Sequence, residues 1–122
     1  ADNLVVLTGD FHSAAVGELR TDPFDRSLPL VGTELMASAI SSSFFDDDES
    51  LTDLLELVIG INTQITWFDS RRGYTICDVT PDRWLATFRA VDDPFDENSA
   101  VTTISEWQIE AGTPGAQEFV GT

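Results

Sequence analysis

Leu4-Val5-Val6-Leu7-Thr8-Gly9-Asp10-Phe11-His12-Ser13 is the stretch around which the chain organises itself. Four apolar residues in a row, 4–7, are the pattern of a short strand buried on both faces. Gly9 permits a sharp turn, and polar groups appear where the strand stops. Asp10 and His12 stand two positions apart, so an extended backbone would put both side chains on one side. A carboxylate suits a hard cation and an imidazole suits iron or zinc, which makes the pair candidate ligands of a metal site. Strand ends in layered α/β folds are also where ligands collect. Taken alone, Gly-Asp-x-His matches by chance, and a lone His at a strand end is more commonly a satisfied polar residue.

Outward from this stretch the pattern alternates between strands and punctuation. A second strand is expected over 14–19, and a loop over 22–29, where two prolines and scattered charges fall. Residues 33–40 read as a strand running into Ser41-Ser42-Ser43. Asp46-Asp47-Asp48-Glu49 opens a polar break that lacks the spacing of an EF-hand loop and reads as a solvated run. A helix follows over 50–62, with Ser50 as its cap and Leu51, Leu54, Leu55, Val58 and Ile61 on one face. From Gln64 the period becomes two: strands over 65–69 and 73–79, a turn at Thr80-Pro81-Asp82, and a return strand with Trp84, Ala86, Phe88 and Ala90 on one face. An acidic loop (92–98), a last strand (101–109) presenting Trp107 and Ile109, and a loop-rich tail (112–122) complete the chain. There is no internal repeat.

The 122 residues are at most one domain's worth, and 42% of them are apolar, enough for a core. Twenty-two Asp and Glu against 6 Arg, with no Lys, give a formal charge of −16. Such a surface repels polyanions, which argues against nucleic-acid binding and against anionic membranes. The acidity suits adaptation to salt, solubility of a secreted protein, or hard-cation sites. One cysteine, Cys77, excludes an internal disulfide, and its expected place is as a small buried hydrophobe. No stretch reaches the roughly 18 apolar residues of a membrane helix. Ala1-Asp2-Asn3 leads straight into a strand without a signal peptide, a beginning that reads as a cut.

Three landmarks in order carry a family resemblance. Residues 4–13 resemble the strand-Thr-Gly-Asp-x-His-Ser signature of PhoD-like (alkaline phosphatase D-type) metallophosphatases. Val31-Gly32-Thr33-Glu34-Leu35 followed by Ser38-Ala39-Ile40-Ser41-Ser42 resembles that family's Gly-Val-Glu-Phe stretch and its serines. Arg71-Arg72-Gly73-Tyr74, with Asp78-Val79-Thr80-Pro81-Asp82-Arg83-Trp84, resembles its Arg-Gly-Tyr hairpin. Phe11 departs from the small aliphatic residue the family often has, and residues 44–62 do not align.

The resemblance implies an α/β fold: a calcineurin-like metallophosphoesterase four-layer sandwich, two mixed β-sheets flanked by helices. Residues 1–122 would be the β-rich C-terminal part of that one catalytic domain, with 43–62 as an insert bearing a helix. It implies hydrolysis of phosphate esters, of alkaline phosphatase, phosphodiesterase or phospholipase D-like type, by a metal-activated water or hydroxide. Asp10 would bind calcium and His12 ferric iron (Fe3+), with the remaining ligands in an N-terminal segment, the partner this chain needs for activity. Arg72 either touches substrate phosphate or, as arginines more often do, fixes a loop; Tyr74 is expected in the core. The family's twin-arginine export pairs with a secreted or periplasmic location. The competing expectation is an acidic β-rich binding module without catalysis.

Overall fold

Two four-stranded sheets stacked face to face carry the chain in a computed structural model, which describes residues 3–40 and 49–119, the side chains at 49–52 and 55 excepted. In chain order the elements are β1 (Leu4–Thr8), β2 (Ala14–Leu19), β3 (Gly32–Met36), α1 (Glu49–Ile61), β4 (Ile65–Asp69), β5 (Gly73–Val79), β6 (Arg83–Val91), β7 (Val101–Glu110) and β8 (Gln117–Glu118). The first sheet runs β1-β3-β2-β4 and is mixed: β1 lies parallel to β3, while β2 is antiparallel to β3 and β4. The second runs β5-β6-β7-β8 and is antiparallel throughout.

The alternation expected of the second half is what builds the interface between sheets. Ala86 and Phe88 of β6 and Trp107 and Ile109 of β7 point inward, against Ala14 and Val16 of β2 and Leu35 of β3. Trp67 of β4 closes this core: its ring centre lies 4.8 Å from that of Phe88 and 6.5 Å from that of Trp107, both tilted, a geometry aromatic pairs favour. The Trp107 indole N–H donates to Ser105 Oγ at 2.8 Å, so the buried polar end is satisfied.

Several expectations are corrected here. β1 is not buried on both faces: it is the edge of its sheet, and Leu4 and Leu7 are 47% and 59% exposed. A continuous apolar run signals contact on both sides, and the described residues supply only one neighbour for it. Tyr74 is exposed rather than core, because it pairs with Arg89 and so lies on the face of β5 opposite the core. Cys77 does share the core-side face, opposite buried Ala86, yet is exposed because β5 is a sheet edge. β3 stops at Met36, short of Ile40, and the pair Gln117–Glu118 adds the short strand β8 inside the expected tail. The helix lies where its apolar face predicts, but Leu54, Val58 and Ile61 on that face are exposed. The Ser50 cap, the side chains of Leu51 and Leu55, and the run 46–48 lie outside the described residues.

Gly73 shows why the hairpin starts with glycine. A Cβ there would sit 1.8 Å from the Arg89 carbonyl oxygen and 2.9 Å from the Ala90 Cα, backbone atoms that cannot rotate away. Gly73→Ala is expected to force β5 from β6 and cost about 1–3 kcal/mol, as overpacking does. A thermal midpoint equal to wild type would refute this.

Candidate active site

The registers place every candidate residue at one end of the first sheet. β1, β3 and β4 run the same way, and β2 begins where they end. The turn 9–13, the segment after Met36 and the corner 70–72 therefore meet beyond the carboxyl ends of β1, β3 and β4, the place where α/β sheets collect ligands. Asp10, His12 and Arg72 thus fall in loops at the same end of the sheet.

Their backbone differs from the extended path considered for it. β1 stops at Thr8, and Asp10 and His12 adopt left-handed φ of 72° and 59°. Each such non-glycine residue costs on the order of 1 kcal/mol and persists only where its surroundings over-determine it. Asp is among the residues that tolerate this region because its short polar side chain bonds locally. The Asp10 side chain is exposed and His12 is half-buried, so both donors are open to a ligand, whereas Ser13 and Ala14 immediately after them are buried.

The corner after β4 is tied down on every side. Arg71 folds back on Asp69: Nη2 donates to Oδ2 at 2.6 Å, Nε to Oδ1 at 3.0 Å, and the Arg71 backbone N–H to Oδ1 at 2.8 Å. This hydrogen bonding with Asp69 raises the guanidinium pKa above its already high value, so Arg71 stays cationic at any working pH. Ser38 Oγ donates to the Arg71 carbonyl at 2.8 Å, and the Gly73 N–H to that of Ala39 at 2.9 Å. The Val91 N–H donates to the Arg72 carbonyl at 2.8 Å, joining the second sheet to the corner. The Arg72 guanidinium lies 5.4 Å from the ring centre of Phe95, a cation–π contact with the loop after β6. This contact is compatible with the loop-fixing use expected of Arg72 and leaves its use toward a phosphate open. The sequence reading gave no role to Asp69 and took Arg71 and Ser38 only as landmarks of the resemblance; the Asp-x-Arg spacing, which lets an aspartate bond the backbone two residues on, was the available signal.

Among the described residues no three or more His, Cys, Asp or Glu side chains form a group able to hold a metal ion. Asp10 and His12 offer two donors of the right kind, one oxygen and one nitrogen. No described helix is long and apolar enough to cross a membrane.

The two-sheet sandwich thus carries a carboxylate, an imidazole and two arginines in the loops at the strand ends of its first sheet. Residues 1–88 match the family model of PhoD-like phosphatase, and the chain belongs to that family. It is 27% identical over 121 residues to alkaline phosphatase D of Bacillus subtilis (strain 168), an alignment covering 99% of this chain and 20% of that protein. A solved structure described as the structure of PhoD superposes with a TM-score of 0.78 at 27% identity, over 97% of this chain and 22% of the other. The chain therefore spans about a fifth of the length of the relatives it matches, and it presents the β-rich, two-sheet part of their larger α/β architecture.

Proposed function

We propose that the chain supplies part of the active centre of a metal-dependent phosphate-ester hydrolase of alkaline phosphatase or phosphodiesterase type. The observation that carries this is the Gly9–His12 turn. It lies inside the family match, at the shared end of the first sheet, with both donor side chains accessible. In this reading Asp10 holds calcium through its carboxylate and His12 holds ferric iron through a neutral imidazole; the two metals rest on the family resemblance. When bound, such ions polarise phosphoryl oxygens and lower the pKa of a bound water. Asp10 also adds negative charge to the site, which limits how tightly a phosphate is retained. Arg72, anchored over Phe95, borders the same end and offers a cation to the substrate's phosphate.

The remaining donors would come from an N-terminal segment of the same protein. What supports that partner is the surface left bare. The edge of β1, the apolar face of α1 and the core-side face of β5 at Cys77 and Val79 are all exposed. Apolar surfaces of this kind are where another element docks. Export to the cell exterior or periplasm completes the reading.

The test is metal analysis and turnover of the whole enzyme with a phosphomonoester and a phosphodiester. Asp10→Ala is expected to lower calcium per molecule and to slow both reactions. Full calcium content and full turnover in that variant would refute the assignment.

A further inference from the structure

β1 hands over to the candidate metal-binding turn at Thr8, and Thr8 is held twice. Its carbonyl accepts from the Ala37 N–H at 3.0 Å, and its hydroxyl donates to Glu34 Oε1 at 2.8 Å. Glu34 lies in the middle of β3, opposite Val6 on one side and Gly17 on the other. Its neighbours Thr33 and Leu35 are the buried ones, so Glu34 projects from the face turned away from the second sheet. Its second oxygen lies beside Gly17, where a Cβ would stand 3.7 Å from it.

Core packing does not explain a carboxylate on an inner strand. Ion pairing does not explain it either, since the pairs among the described residues join Glu18 to Arg20 and Arg26, and Asp69 to Arg71. What Glu34 does is grip the last residue before the turn. Downstream, Ser13 and Ala14 are fixed by burial, at 1% and 4% exposure. Residues 9–12 are thus a short strap between two fixed points, carrying left-handed conformations at Asp10 and His12 that need such anchoring.

We infer that Glu34 is a positioning residue for the metal-binding turn: through the Thr8 hydroxyl it fixes the strand end from which Asp10 and His12 are suspended. The inference rests on the reading of Asp10 as a calcium ligand. A charged acceptor makes this hydrogen bond stronger than a neutral one, and partners behind metal ligands commonly set ligand orientation.

The experiment uses the whole enzyme stripped of metal, titrated with calcium by calorimetry, with the thermal midpoint of the metal-free protein measured alongside. Thr8→Val removes the hydroxyl at nearly constant shape, Glu34→Ala removes the acceptor, and Glu34→Gln keeps an acceptor oxygen. Thr8→Val and Glu34→Ala are each expected to weaken calcium binding about 10- to 100-fold. The double variant should be no weaker than the weaker single, and Glu34→Gln should recover most of the loss. The metal-free midpoint of Thr8→Val should stay close to wild type. Wild-type calcium affinity in Thr8→Val, or equal losses in Glu34→Gln and Glu34→Ala, would overturn the inference. Asp10→Ala separates the two levels. If it abolishes calcium binding while Thr8→Val does not change it, the positioning role alone fails; if calcium binding survives it, the calcium reading fails and takes the inference with it.

Discussion

Alanine at His12 is expected to lower phosphate-ester turnover of the whole enzyme by roughly 10²-fold or more and to reduce its iron content. The magnitude follows from what a lost electrostatic contact to the reacting group costs elsewhere. His12 is the one histidine in the chain, so no neighbouring imidazole in it can take over the coordination. Its half-exposed side chain lies at the ligand-collecting end of the sheet rather than in the core. The variant should therefore lose chemistry without losing the sandwich. Iron per molecule by elemental analysis and turnover at saturating substrate measure the effect, and the metal-free melting midpoint excludes misfolding. Wild-type iron and turnover in His12→Ala would remove this histidine from the site.

Phe88→Ala should produce the largest loss of stability, about 3–5 kcal/mol. Phe88 is 1% exposed and sits under the Trp67 ring, at the point where the two sheets touch. Truncation removes the ring's transfer free energy and leaves a cavity that Trp67, Ala86 and Trp107 cannot close without shifting the sheets. Phe24→Ala is the control, since Phe24 is 89% exposed and should shift the midpoint little. Equal shifts in the two variants would mean that the sheets do not share this core.

What the sequence made legible was set by local periodicity. The strand at 4–7 and the hairpin from Gly73 through Phe88 carry apolar runs or strict alternation, and the helix carries a clear 3.6-residue stripe. Strand order has no such signature. Tyr74 and Cys77 were placed inside on residue type alone; Tyr74 falls on the outer face of β5, and that β5 is an edge, which exposes Cys77, depends on partners far away in sequence. β8 was invisible for another reason: Gln117 and Glu118 are polar and join the sheet only through pairing with Trp107 and Gln108. At the candidate site, the residue types Asp10 and His12 and their position just past the end of β1 were readable. Their left-handed backbone was not, because it is imposed by the anchors on either side of the turn.

That backbone also narrows what evolution or a mutagenesis library can write at positions 10 and 12. Under the proposed ligand roles each combines a donor atom with a positive φ, and few letters of the amino-acid alphabet meet both. Asparagine at 10 keeps the backbone and a neutral oxygen while deleting the charge, whereas glutamate keeps the charge but is less at home in the left-handed region. Glycine at 12 accepts the conformation freely and removes only the ring. β-branched residues are the least acceptable at either position on steric grounds alone. Drift at this turn is therefore channelled toward Asn and Gly, and a relative carrying either letter can keep the path of the chain after its donor set has changed.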